Sequence, residues 1–497
     1  MGILLPKTKI TKRRIVKTNK LLFNLPLFLF TLTTIANEIV DIPDPKFKQI
    51  LLDRLYINTN GDDEIQISEA EAFDGFLNCR NREIKSLKGI EAFINIVRLD
   101  CSINEIQNLD LSKNVELTRV NCGGNLLRSI NISQCIKLTD LNCNNNLYLS
   151  AFDLSTCVNL EKIDFSQCKL VEADLSNNIN LMSLDGRKNA LTSITFPNNG
   201  KLRSVRLENN KLVDIDFKTN DNLRIVGASY NELQSINISG CSRLRTIHII
   251  NNHLPTINTS RNLELESLQL NTNEITQLDL SENIRLRSLG VRSNHLKNID
   301  LSKNIALRFL TISYNQIEGL DLSKNLLLET IYASNNEIKE LDLSVNIALE
   351  TVSFRSNRLE SLNLKNGKNT LITTFEANEN PNLTCIQVDN PTDSANNAAW
   401  KKDDPAIYSE TCQTASIDDP LFNDEVGVVP NPVINNAKVT LKNQYDYKKC
   451  TIFNNLGQEV FKTTSHELDL SGLTKGLYLL KVEGKDGRVA IKKIIKS

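Results

Sequence analysis

The chain has 497 residues, with 58 Lys+Arg against 59 Asp+Glu and a formal net charge of −1. The balance is uneven: seven basic and no acidic side chains lie in residues 1–36, twelve basic and six acidic in 427–497, leaving 39 basic and 53 acidic in 37–426, a net of −14. A body that acidic argues against nucleic acid or anionic membrane as its partner, because neutralising phosphates takes clustered Lys and Arg. Aromatics are only 5% while 63 residues are Asn, so the core is aliphatic and Asn serves a repeated structural purpose.

The first element is an address. Seven basic residues (Lys7, Lys9, Lys12, Arg13, Arg14, Lys17, Lys20) precede the apolar run Leu21 to Ile35, and Thr34 and Ala36 follow the small-residue pattern of a cleavage site. This predicts a secretory signal over 1–36. An uncleaved anchor is the competing reading, but the run falls short of the ~20 residues that span hydrocarbon and contains Asn24 and Pro26.

Residues 37–78 read as a cap. Asp44 to Tyr56 places Phe47, Ile50, Leu51 and Leu55 on one face of a helix. Asn58 to Glu69 then aligns with a calcium-binding EF-hand loop, offering oxygens from Asn58, Asn60, Asp62 and Glu69, with Glu64 in the set and Ile65 at the apolar eighth position. It departs from that pattern at position 1, where Asn58 costs a charge, and at position 6, where Asp63 replaces Gly. Weak Ca²⁺ binding and a cap loop of merely similar spelling both stay open.

From residue 79 to 385 one pattern repeats. Leu117, Leu138, Leu160, Leu181 and their successors to Leu349 recur every 21 residues, once every 22, as LxxLxLxxNxLxxLDLSxNxx. Twenty-one is three heptads, yet the apolar offsets do not fall on a coiled-coil seam. The L-x-L pair has the two-residue period of a strand, and the Asn and Ser after it signal a turn. Such a unit buries its leucines only by stacking, so about fourteen coils at ~4.8 Å per strand form a solenoid. Asn104 to Asn378 make one Asn ladder and Asn114 to Asn346 a second, each placed to pair backbone groups of its own and the adjacent coil.

These residues resemble bacterial leucine-rich repeats with nested 10- and 11-residue units. The resemblance implies a parallel sheet on a concave face, short strands or turns on the other, and a ligand held by the variable positions of LxxLxL. The column between the two strand leucines runs from Asp100, Asn121, Asn142, Asp164 and Asp185 through Arg206, Gly227, His248, Gln269, Gly290, Thr311 and Tyr332 to Ser353, with Tyr230 and Tyr314 nearby. Arg206, His248, Gln269, Tyr332, Tyr230 and Tyr314 are the candidate contacts to a protein or glycan; a merely solvated sheet is the other reading. Asp279, Asp300, Asp321 and Asp342 stack in the LDLS slot of successive coils; relief of their repulsion by Lys303 and Lys324 is one reading, and recruitment of cations or a basic partner is the other.

Cys79, Cys101, Cys122 and Cys143 take a leucine slot and read as small core residues. Cys135 and Cys157 lie on adjacent coils, close enough for a disulfide. Cys385 and Cys412 lie past the last regular repeat, at the edge of and within a cap over 386–415, where an exported chain can bridge them; Trp400 between them lids the final coil.

After an acidic linker (416–426), residues 427–497 contain Pro430-Asn431-Pro432, LGQEV at a hairpin, GLYLLKV and a terminal KKIIK. Short alternating strands predict a β-sandwich. The stretch resembles the sorting domain of the type IX secretion system of Bacteroidetes-type bacteria, which implies export across the outer membrane, cleavage of the domain, and release or surface attachment. The sequence has no GxSxG, HExxH, P-loop or GxGxxG, and the expectation is a non-catalytic, exported binding protein. The alternative is a passive surface protein with weak Ca²⁺ binding.

Overall fold

The computed structural model describes residues 38–412, 425–441, 447–454, 457–485 and 488–497. The expected signal segment, most of the linker and Asn455-Leu456 of the hairpin lie outside them.

Each repeat contributes one three-residue strand whose middle side chain is buried and whose flanking residues face outward, as Ser204–Arg206 does around Val205. Sixteen such strands, from Phe76–Asn78 to Trp400–Lys401, pair in parallel into one long sheet. The sheet therefore extends beyond the expected repeats into both caps. The other side of the coil pairs only intermittently, as in Asn108–Asp110 with Ser129–Asn131, and ends in four strands from Glu340–Asp342 to Ile407–Ser409.

The two Asn ladders do different work. In the first, Asn294 Nδ2 donates to Leu270 O of the preceding coil (3.0 Å) and to Val291 O of its own (3.1 Å), while Oδ1 accepts from Ile275 N (2.9 Å). In the second, Asn304 Nδ2 donates to Leu280 O (3.1 Å) and Asn283 O (3.0 Å), both on earlier coils. Its Oδ1 is buried and accepts nothing, so two paired carbonyls stand against one orphan oxygen. This accounts for the cysteines in that slot: Cys135 Sγ donates to Leu111 O and Cys241 Sγ to Phe217 O, each at 3.4 Å, with no amide oxygen to strand. Cys135 and Cys157 remain thiols rather than a disulfide.

One ladder position differs from expectation. Asn380, not Asn378, donates to Phe354 O and Ala377 O and accepts from Leu359 N. The coil from Thr351 to Thr374 is two residues longer than the one before it, which moves the register on.

At the N-terminus α1 (Pro45–Leu52) buries Phe47 and Leu51. It stops before Leu55, which is 79% exposed rather than part of the apolar face. The Asp44 carboxylate caps α1 by accepting from Lys46 N and Phe47 N, and its other oxygen accepts from Lys85 N and Ser86 N, which ties the cap to the first coil. At the far end Trp400 packs on Phe375 (4.9 Å between centroids) and donates Nε1–H to Ile372 O, lidding the last coil. Cys385 and Cys412 form a disulfide across this cap.

Residues from Val426 on form a three-stranded and a four-stranded antiparallel sheet around a core of their own, including Val439, Ile452, Leu480 and Val482. Among the described residues, no helix is long and apolar enough to cross a membrane.

Candidate functional site

The long sheet sets the candidate contacts by register. Arg206, Gly227, His248 and Gln269 are directly paired neighbours on four successive strands. Arg206 and His248 point outward and are exposed. Gly227 between them is covered by the Glu208 carboxylate, which would have to swing aside for a side chain. Gln269 is committed to its neighbour: its Nε2 donates to Ser288 Oγ (3.0 Å), and its Oε1 covers Gly290 in the same way.

Tyr332 shares this column but lies three strands beyond Gln269, some ~14 Å away at the usual strand spacing. Tyr230 and Tyr314 are not strand residues. They occupy the bend after the strand with φ of 59° and 58°, a left-handed position that every regular coil fills with a single residue. Both rings are exposed, and Arg292 lies 4.7 Å over that of Tyr314. The structure thus gathers Arg206, His248 and Gln269 and leaves the three tyrosines dispersed.

A row of arginines was missed. Arg203, Arg224 and Arg245 follow the first leucine of three consecutive repeats, LRSVRL, LRIVGA and LRTIHI, and Arg287 and Arg308 continue the slot after Glu266. All five are exposed. Arg245 pairs with Glu264 (3.1 Å) and Arg308 with Glu329. Among the described residues, Arg203, Arg224 and Arg287 have no side-chain partner, and Arg206 reaches a carboxylate, Asp185, only at 4.0 Å. The composition hides this row because the acids lie elsewhere.

Many of those acids are structural. Asp110, Asp153, Asp174, Asp279, Asp300 and Asp321 each accept the backbone N–H of the serine two residues on, at 2.8 to 2.9 Å. That N–H is the main reason their carboxyls titrate below the ordinary Asp range; Lys303 and Lys324 contribute less, so the bend, not the lysines, holds the charge. Because the folded pKa is depressed, this stabilisation is complete above the unfolded Asp value near ~3.9 and is lost as pH falls through the folded values. Urea midpoints should therefore be flat from pH 7 to 5 and drop steadily below about pH 4; a midpoint unchanged at pH 3 would contradict the assignment.

The EF-hand-like loop turns its oxygens inward. Glu69 Oε1 accepts from Thr59 N (2.7 Å), Thr59 Oγ1 (2.8 Å) and Asn60 N (3.2 Å), and Oε2 from Gln66 N at the start of α2 (Ile67–Ala72). Burial pushes the Glu69 carboxyl up, but these donors outweigh it and hold it below the usual range. Asn58 Oδ1 accepts from Gly61 N, while the amides of Asn60 and Gln66 donate to the Asp62 carboxylate. Glu64 points away to Lys48 (2.7 Å). The cysteine column is inert: burial pushes Cys79 and Cys122 up to about 12 and Cys101 and Cys143 well above the usual thiol value.

Comparison with known proteins agrees with this geometry. The model of the secretion system C-terminal sorting domain matches residues 427–497, and that of the endo-beta-N-acetylglucosaminidase EndoS LRR domain matches 64–178. The chain has a leucine-rich repeat fold and carries a secretion system sorting domain at residues 427–497. Among solved structures, the functional domain of InlJ from Listeria monocytogenes, described as including a cysteine ladder, is similar at a TM-score of 0.63 and 20% identity, over 93% of this chain and 98% of that one. A TDR receptor follows at a TM-score of 0.51 and 18% identity, covering 69% of this chain and 70% of that one. At these identities the likeness is one of fold. No curated protein sequence matches significantly.

Proposed function

We propose that this leucine-rich repeat protein is delivered by the type IX route to the medium or the outer-membrane surface of a Bacteroidetes-type bacterium. There it holds a protein or glycan on the long sheet without chemistry. One observation carries the reading: a row of exposed arginines, three of them unpaired, beside Arg206 and His248 in a body of net −14. Charges left unpaired on an open face suit an anionic patch on a large ligand, and a sheet without a deep pocket suits a macromolecule better than a small molecule.

The test is binding of the full chain to panels of immobilised proteins and polysaccharides. Binding should weaken with salt, fall at least tenfold in the Arg203→Glu/Arg224→Glu double variant, and fall less with Arg206→Ala, His248→Ala or Tyr332→Ala. A ligand retained in full by all of them would remove the long sheet as the site. Mass spectrometry of envelope and medium tests delivery by locating both cleavages.

The second reading, a passive surface protein that binds Ca²⁺ weakly, rests on Asn58, Asn60, Asp62, Glu64 and Glu69. Cation binding there has to exchange the internal hydrogen bonds of the loop. Calorimetric titration with Ca²⁺ decides: heat in the wild type that disappears in Glu69→Ala supports it, and no heat in either removes it.

A further inference from the structure

One row of exposed aliphatic side chains stands outside the binding face. Leu263, Ile284, Ile305, Leu326 and Ile347 each follow an Asn or occupy the same turn slot on five successive coils, and Leu327 adjoins Leu326. All six are 49 to 59% exposed. The Asn before each is buried and anchored to the preceding coil, so the aliphatic side chain beside it is held out in a fixed row. Core packing does not require this, since the next leucine of each coil (Leu265, Leu286, Leu307, Leu328, Leu349) fills the interior completely.

At half exposure the row offers on the order of 500 Å² of aliphatic surface, as large as the largest patch of a typical monomer and more than half of one side of a standard interface. Gly200, Asp221 and Ser242 interrupt the slot and set this row apart from Val115, Ile136, Val158 and Ile179, which hold it on four earlier coils.

We infer that this row is the seam of a homodimer, in which a second copy of the chain lays the same row antiparallel about a twofold at Ile305. A row with one residue per coil, ~4.8 Å apart, matches its own reverse at every step. Three features favour this centre. Ile284 then meets the partner's Leu326 and Leu263 the partner's Ile347. Glu282 falls beside the partner's Lys324, twice by symmetry, against a single like-charged contact between the two copies of Lys303 at the exposed rim. Beyond Leu263 the flank is hollowed between Ser239, Ser242 and Ser260, where the partner's exposed Leu371 falls. The seam leaves the long sheet open, so it does not depend on the binding reading.

Sedimentation velocity of the purified full chain tests the proposal. The wild type should sediment as a dimer at tens of micromolar and dissociate on dilution. Ile305→Asp should be monomeric throughout, and Ile136→Asp, in the same slot of a coil outside the seam, should remain dimeric. Glu282→Lys should weaken association about tenfold, and the double variant Glu282→Lys/Lys324→Glu should recover it, a rescue that misfolding does not produce. A wild type that stays monomeric at 100 μM or so, by the scale of weak interfaces, overturns the inference. So does a dimer that survives Ile305→Asp or is lost in Ile136→Asp.

Discussion

Asn294→Ala should cost about 3 kcal/mol of stability, because it strands Ile275 N in the interior at roughly 1–3 kcal/mol and removes one of the two amide donors on each of Leu270 O and Val291 O, which keep those of Asn273 and Asn315, at about 0.5–1.5 kcal/mol each. All three partners are backbone groups shared between two coils, and water does not reach the site, since Asn294 is buried. The loss should also be directional. Stability in a stacked repeat is carried by nearest-neighbour interfaces, so amide protons of the coils flanking residue 294 should exchange faster well before those near Asn125 do. A second-ladder position provides the contrast. Asn304→Ala strands nothing, because Leu280 O and Asn283 O keep the backbone N–H groups of Asn283 and Leu286, and it removes an orphan oxygen, so it should cost about 1 kcal/mol. Asn304→Cys, which copies what the chain does at Cys135 and Cys241, should cost less still. Chemical denaturation of the three variants checks the order; Asn294→Ala within 1 kcal/mol or so of wild type would mean that the bends satisfy themselves another way.

The second large effect belongs to the end of the solenoid. The last full coil exposes Phe375 unless something covers it, and the cover is a 27-residue segment closed by Cys385 and Cys412. Within it α3 (Pro391–Asn396) is capped by Asn390, Trp400 seals the core, and the Asp403 carboxylate accepts from Glu379 N and Asn380 N. Replacing both cysteines by serine should cost about 3 kcal/mol, the loop-closure value for this length. Trp400→Ala should cost about 3–5 kcal/mol by removing a buried indole from the lid. Both should convert the terminal coils into the first site of cleavage in limited proteolysis, and reducing agent should reproduce the cysteine result in the wild type. A melting profile unmoved by reduction would mean that the lid holds without the bridge.

These effects show how unevenly the molecule could be read in advance. LxxLxL sets a two-residue period that only a strand satisfies, so one strand per coil, an aliphatic core and a solenoid follow from residue spacing alone. The capping disulfide was legible for a similar reason: its two cysteines fall outside the slots of the regular columns. The α1 boundary was not, because Leu55 has the spacing of a buried helical residue but nothing stacks against it. Asn378 lost its ladder place to Asn380 because a two-residue insertion is absorbed in the bend, where no apolar period marks the register.

The binding face divides the same way. That Arg206, His248 and Gln269 point outward is a consequence of alternation along each strand and could be read directly. That Gln269 is tied to Ser288, and that Tyr230 and Tyr314 stand in left-handed bends, could not. The left-handed slot is filled by Ile103, Thr272, Lys188 and Tyr230 alike, residues with no local preference for it. Its conformation is imposed by the next coil, whose carbonyls capture the N–H groups of the bend, as Ile250 O does that of Tyr230. Local chemistry thus determined the strand, the turn and which side chains face the core. Stacking decided the rest, because the hydrogen bonds, the paired and unpaired arginines and the exposed row all depend on which residue lies one coil away.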